Sequence, residues 1–417
     1  MSKFDVVVIG AGTAGLGFGC SLADSGLSVL ILERQALTEI ENPAFDGRDF
    51  AITHLSKKLL QQLNIWERIP QQEIAPLREA KVLDGESDYT LAFNTEGRSV
   101  NELGYLISNH VIRKATYEQL LEADNVELRT DVEVSGLKAD QQGAVVTLAD
   151  GSEIEAQMAV SADTRFSATR RMMGLSAEMF DFGRTAIVCR AEHELSNEAT
   201  ALECFRYGRT LALLPLNGDE SSVVITVPSS QADRYMQMDD AEFNATIEEG
   251  LGGRYGKMSL STERFSYPLV AVHANKMVGN RYALLGDAAV GMHPVTAHGF
   301  NLGLRGQHTL AERMKQALAR GESFYSDEVL SHYNQKQQLA SRPIYHGTNS
   351  IVRLFTTDSA PAKLLRKAAL RFGNHFPPVQ WGIIHKLTEV GGMSGLSLPT
   401  VPSMKGFSGK IPHYSSR

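Results

Sequence analysis

Asp5-Val-Val-Val-Ile9, then Gly10-Ala-Gly12-Thr-Ala-Gly15, a helical stretch to Ser25, and Ser28-Val-Leu-Ile-Leu-Glu33 decide the fold. The order is strand, turn, helix, strand, acid, which opens a parallel α/β sheet of the Rossmann type. Gly10, Gly12 and Gly15 stand where a tight turn, close approach to a pyrophosphate and helix-to-strand packing each require a missing side chain. The helix that follows offers free N–H groups and its positive end to phosphates. Glu33, at the end of the second strand, is placed to accept from a ribose hydroxyl pair and disfavours a 2′-phosphate. This motif by itself does not separate FAD from NAD.

Outward from that turn, alternating runs at Glu127–Leu137 and Ala144–Leu148, with Asp150-Gly151 after them, predict a hairpin or meander before a buried strand at Gln157–Ala162. From Ala186 to Val227 the chain is β-rich, and Ala241–Leu251 has helical periodicity, which suggests a second, sheet-based domain. A strand returns at Tyr282-Ala-Leu-Leu-Gly286. A helix follows from about Asn301 to Arg320, and Ser326–Leu387 reads as mainly helical. Gly250–Gly256 follows a helical pattern rather than a strand, so it reads as a helix end and loop and not as a second dinucleotide site.

The 417 residues, 43% of them hydrophobic, suffice for a large interleaved core. Cys20, Cys189 and Cys204 lack Cys-x-x-Cys spacing, so they predict neither a metal nor a disulfide framework and fit a reducing, cytoplasmic setting. The apolar start is better explained by a buried strand than by a signal sequence. No run reaches the ~18 to 20 apolar residues of a membrane span. The net charge of -7 is uneven: from Lys363 onward there are eight Lys/Arg and one acid, leaving -14 on the rest. An acidic body and a tail without a reader module argue against nucleic acid. If Lys363–Phe372 is helical, Lys363, Arg366, Lys367 and Arg371 gather beside Leu364, Leu365, Ala368, Ala369 and Phe372. That pattern suits either adsorption to anionic lipid on the inner membrane face or packing on the body of the protein.

Leu285-Gly286-Asp287-Ala288-Ala289, Pro294 and Gly299-Phe300-Asn301-Leu302-Gly303-Leu304 resemble the second flavin motif of class A flavoprotein aromatic monooxygenases. Within that superfamily the chain is similar to the ubiquinone-biosynthesis hydroxylases. Further matches run along nearly the whole chain: Arg48 with Leu55-Ser56, Asn109 and Arg113, Asp163-Thr-Arg165-Phe-Ser167-Ala-Thr-Arg170, and Tyr267-Pro268-Leu269. The resemblance implies that Asp287 binds the ribityl chain, Pro294 lies on the flavin face, and the backbone of Gly299 to Asn301 meets the pyrimidine edge. Arg48, Arg113 and Asp163 are carried over as further cofactor contacts. A helix starting near Asn301 would aim its positive end at the edge where reduced flavin is negative.

The fold implied is α/β of mixed α+β type: a Rossmann-type FAD-binding domain (residues 1–71, 101–175 and 269–325) interleaved with a β-sheet substrate domain (72–100 and 176–268), and a helical C-terminal region (326–417). The activity implied is reduction of FAD by NADH or NADPH, addition of O2 to give a flavin C4a-hydroperoxide, and hydroxylation of an electron-rich phenol. The substrate implied is an apolar prenylated phenol, reached at a membrane surface or within a biosynthetic complex. His293 and His298 flank the expected flavin site, where they would either assist phenol deprotonation or pack structurally.

Two positions depart from the family pattern. Thr164 stands where glycine is usual, which puts the local turn in doubt, and Ala297-His298 replaces Gly-Gln. Two other classes remain open: a flavin reductase acting on a prenyl chain, and a flavin-containing structural member of a lipid-biosynthetic assembly. The Trp-x-Trp-x-Ile-Pro signature of flavin halogenases is absent; Trp66 and Trp381 are the only tryptophans.

Overall fold

Val6, Val7 and Val8 are all fully buried, which only a strand covered on both faces requires. In the computed structural model, which describes residues 3–84, 90–96, 100–206, 208–296, 298–356 and Glu389, that strand is the centre of an eight-stranded sheet. Tyr282–Leu284, Glu153–Ser161, Lys3–Ile9, Val29–Leu32 and Val126–Arg129 lie side by side and parallel. The meander is present as Val134–Ala139 and Ala144–Leu148, running antiparallel into Glu153–Ser161. Helices Thr13–Ser21, Asn109–Leu120 and Gly299–Ala319 pack with one another against this sheet.

The first helix stops at Ser21, short of the expected Ser25, because the Ser25 hydroxyl turns back to the Leu22 carbonyl at 2.6 Å and the chain leaves through Gly26. Gly299–Ala319 begins two residues earlier than sequence periodicity places it. Helix Asp327–Thr356 carries Pro343 within it. The Lys363–Phe372 segment lies outside the described residues.

A second sheet of nine strands is built on the 17-residue strand Ala177–His193, which pairs with Phe265–Ala274 on one side and Glu220–Pro228 on the other. The order then runs through Arg209–Pro215 and Thr200–Arg206 to Glu79–Asp84 and Thr90–Asn94. Helices Ala232–Gln237 and Asp240–Leu251 cover one face over a core that includes Ile187, Leu213, Ile225 and Phe243. The opposite face looks towards the first sheet. A small third sheet joins Asp49–Ile52, Gly104–Ser108 and Ala75–Leu77 between the two. The cysteines are free and buried, and burial pushes the Cys20 and Cys189 thiols up to about 12. No described helix is long and apolar enough to cross a membrane.

Candidate active site

Gly10 adopts a left-handed φ of 106°, and a Cβ there would stand 2.6 Å from the Ala162 carbonyl oxygen. That close passage lets the chain turn from the first strand into Thr13–Ser21. Gly15 packs directly behind, against the Gly10 carbonyl, so it serves helix-to-strand packing and does not line the cleft. Gly12 faces the other way: a Cβ built on it meets nothing within 4 Å, and the space it leaves opens into the cleft. Glu33 sits at the cleft's end, where its carboxylate accepts from Ala11 N–H at 2.6 Å and from Gln35 N–H at 2.9 Å. Gln35 in turn accepts from Arg113 at 3.1 Å.

Arg48, Asn109 and Tyr267, scattered in sequence, converge on Asp46. Arg48 binds the Asp46 carboxylate through Nε at 3.0 Å and Nη2 at 2.5 Å, and Asn109 donates to it at 2.7 Å. The Tyr267 hydroxyl donates to the Asp46 carbonyl at 2.6 Å, with the Arg48 guanidinium 5.6 Å from the tyrosine ring centroid. Burial works to raise the Asp46 carboxyl, but Arg48 and Asn109 outweigh it and hold it below the usual carboxylate range. No sequence motif marks Asp46, two of whose partners, Asn109 and Tyr267, lie far along the chain.

The second flavin-type motif is fixed by arginines. Arg170 is buried and donates to the Ala288 carbonyl at 2.7 Å, tying Asp163–Arg170 to Leu285–Ala289. Arg165 pairs with Asp287 at 3.0 Å, so one Asp287 oxygen is engaged within the protein. Asp163 accepts from Thr169 at 3.0 Å, and its other carboxylate oxygen is buried beside the cleft without a partner among the described residues. Thr164 does not adopt a left-handed conformation, and its carbonyl closes the turn with Ser167 N–H at 2.9 Å. A β-branched residue is therefore accommodated where glycine is usual.

His298 supplies the carbonyl that accepts from Leu302 N–H at 2.9 Å, the start of helix Gly299–Ala319. The first-turn N–H groups lack helix partners by construction. Gly299 and Phe300 line the cleft, with Phe300 stacked on Phe50 at 5.0 Å between centroids. The Asn301 side chain points away: it accepts from Thr53 N–H at 3.1 Å and donates to the Ala51 carbonyl at 2.8 Å. The side chain is thus committed to the protein rather than to a ligand.

Pro294 and His293 line the cleft. The His293 Nδ1 accepts from Val295 N–H at 3.2 Å, so its proton is on Nε2, and the ring meets Phe182 edge-on at 4.8 Å. Burial, aided by the Arg184 charge, pushes its pKa down to about 4. Its acceptor lone pair is taken and its basicity is low, so His293 does not fit the phenol-deprotonating role.

These residues share one cavity of about 1370 Å³, which runs from Gly10 and Glu33 past Asp287 and Gly299 to the open face of the second sheet. Single small ligands usually occupy roughly 300 to 1,000 Å³, so there is room for a dinucleotide and a second molecule. The opening above Gly12, the helix N-termini at Thr13 and Gly299 and the orphaned Asp163 oxygen fit FAD laid along this cleft. No group of His, Cys, Asp and Glu that could hold a metal occurs among the described residues.

A dinucleotide cleft that opens onto the bare face of a second sheet defines a flavin-dependent enzyme that brings its cofactor to a separate substrate. The chain belongs to the family described as FAD binding domain, which it matches over residues 3–346. Ubiquinone hydroxylase UbiM of Neisseria meningitidis is 48% identical over 388 residues, 92% of this chain and 84% of that protein. Ubiquinone hydroxylase UbiL of Rhodospirillum rubrum is 32% identical over 366 residues, 88% of this chain and 85% of that protein. Among solved structures, p-nitrophenol 4-monooxygenase PnpA from Pseudomonas putida DLL-E4 shares the fold, with a TM-score of 0.74 and 17% identity over 93% of this chain and 99% of that one. The protein is an FAD-dependent monooxygenase; NAD(P)H and O2 are the co-reactants typical of the class.

Proposed function

We propose that this enzyme hydroxylates the aromatic ring of a polyprenylated phenol in ubiquinone biosynthesis. The observation that carries the reading is the continuation of the flavin cleft over a sheet face where Ala186, Val188, Ala212, Leu214 and Val224, set among a few hydroxyl side chains and Glu203, offer apolar surface suited to a prenyl-bearing ring. The names of the relatives, ubiquinone hydroxylases at 48% and 32% identity, support the same substrate class.

Gly10, Gly12, Glu33, Arg113 and the start of Thr13–Ser21 would hold the adenine dinucleotide. Arg48, Asp163, Asp287, Pro294 and the backbone of Gly299 to Asn301 would hold the flavin half. When bound, FAD supplies the activation of O2 that side chains lack. The protein's part is to orient the ring, to exclude water with the apolar sheet, and to steady negative charge at the first turn of Gly299–Ala319. A substrate of this kind resides in lipid, and the +7 tail from Lys363 onward would bring the enzyme to an anionic, cytoplasmic membrane face.

The test follows the visible spectrum of FAD-loaded protein, without oxygen, as NADH or NADPH is added with a short-chain prenylated phenol. Bleaching, then recovery in ¹⁸O2 with label in the ring, is the expected result. A product reduced in its chain and free of label would identify a prenyl reductase. Flavin that no nicotinamide bleaches would point to a structural member of a biosynthetic assembly.

A further inference from the structure

We propose that Glu203 is the residue that recognises the substrate's ring hydroxyl and takes its proton, a role that rests on the phenol-hydroxylating reading above. Glu203 lies on strand Thr200–Arg206, paired in register with Ala212 on one neighbour and Val82 on the other. The pleat sends Leu202 and Cys204 into the helix-covered core and turns Glu203 and Phe205 towards the cavity. Among the described residues, Glu203 is the one charged side chain that the second sheet contributes to the cavity wall. Around it the sheet presents small apolar and hydroxyl side chains.

Its strand reaches the flavin loop. Phe205 belongs to a hydrophobic cluster that also takes in Val295, the residue directly after Pro294. The row that carries Glu203 is thereby packed onto the segment expected to lie along the flavin.

The Glu203 carboxylate makes no hydrogen bond or ion pair with any described residue. The carboxylate is half-buried and faces the cavity, and a polar group left there without a partner invites a ligand that supplies one. Burial alone pushes its carboxyl up to about 8. Enclosure makes the carboxylate form of Glu203, the form that takes the proton, a stronger base than that of an ordinary glutamate. The transfer balances: the phenol O–H bond breaks, a carboxyl O–H bond forms, and the electron pair left on the phenolate oxygen enriches the ring. No oxidant is consumed in it. His293, one of the two histidines that the sequence singles out beside the flavin site, is too weak a base to compete.

The experiment compares FAD-loaded full-length enzyme with its Glu203→Gln and Glu203→Ala variants, on a short-chain prenylated phenol and on the O-methyl ether of that phenol. Binding is read from the perturbation of flavin absorbance, turnover from oxygenated product, and integrity from flavin content. The wild type should favour the phenol over the ether by about tenfold or more, and Glu203→Ala should lose that preference. Glu203→Gln, which keeps shape and hydrogen bonding, should lose about 10²-fold in kcat with KM within about threefold. An unchanged phenol preference in Glu203→Ala, or an unchanged kcat in Glu203→Gln, overturns the assignment. If the alanine variant fails to hold flavin, the isosteric glutamine variant decides. Wild-type enzyme that holds flavin yet oxygenates no phenol would refute the functional reading instead, and the phenol-against-ether binding comparison would still judge Glu203.

Discussion

Gly10 and Gly12 stand two residues apart and should fail in different ways when given a side chain. Gly10→Ala forces an L residue into a φ of 106° with its Cβ against the Ala162 carbonyl, so it should destabilise the flavin-free protein by about 1–3 kcal/mol. Gly12→Ala meets nothing within 4 Å in the protein itself. As a change at a helix N-cap it should cost at most ~1 kcal/mol, while FAD affinity falls about tenfold or more. Urea unfolding without flavin and flavin titration separate the two; a Gly12→Ala protein that binds FAD normally would remove the turn from the cofactor site. His293 adds a pH dependence. Its unfolded pKa lies near 6.5 and its folded value at about 4, so between these the unfolded chain binds a proton that the folded one refuses. Stability should therefore fall as pH drops from 6.5 towards 4, with His293 responsible for roughly 3 kcal/mol, and His293→Gln should flatten that part of the urea-measured profile. At this scale the sequence is legible where a residue's demand is local: the glycines and Glu33 announce themselves through strand, turn and helix. Asp46 and Glu203 do not, because what makes them distinctive is supplied by residues far along the chain, Asn109 and Tyr267 for the one and an entire sheet face for the other.

The same distinction holds for elements. The parallel strands and the meander after Arg129 follow from apolar runs and Asp150-Gly151, and they stand in the structure where periodicity puts them. The start of Gly299–Ala319 is less legible, since glycine is a weak helix former and local propensity delays the start towards Asn301. Tertiary contacts override that preference: Phe300 stacks on Phe50, and Asn301 clasps the backbone at Ala51 and Thr53. That clasp joins the helix to strand Asp49–Ile52, and so to the Arg48 side of the cleft. Asn301→Ala would leave a buried N–H unpaired, at about 1–3 kcal/mol, and a partly buried carbonyl at less. Asn301→Asp would keep an acceptor for Thr53 but turn an oxygen on the Ala51 carbonyl, and should be no more stable than the alanine variant. Thermal unfolding of the three proteins tests this; an aspartate variant close to wild type would show that the donor half of the clasp contributes little.

Across the whole molecule, the first sheet is completed only when Tyr282–Leu284 returns to pair beside Glu153–Ser161, after all of the second sheet but its two-residue strand Val290–Gly291 has been made. The two layers are thus threaded through one another, and the cleft takes its walls from both: Gly10, Glu33 and Asp287 from one side, Val188 and Leu214 from the other. If the basic residues from Lys363 to Arg371 bring the enzyme to lipid, binding to anionic liposomes should fall at high salt and on replacing Lys363, Arg366, Lys367 and Arg371, at about 1 kcal/mol for each. Flavin, by contrast, should act on the body as one unit. A ligand that binds only the folded state stabilises it by about 2.7 kcal/mol at 100 times its Kd. Because the cleft is made by both layers, that gain should appear in the unfolding of both. Limited proteolysis distinguishes the layers, with cuts assigned to the first sheet or to the second and followed as FAD is added. Protection that rises in parallel in both sheets is the expected outcome. Protection confined to the first sheet would mean that the second closes over the flavin only when substrate arrives, and the apolar floor around Val188 and Leu214 would then have to be read as a surface that substrate itself brings into place.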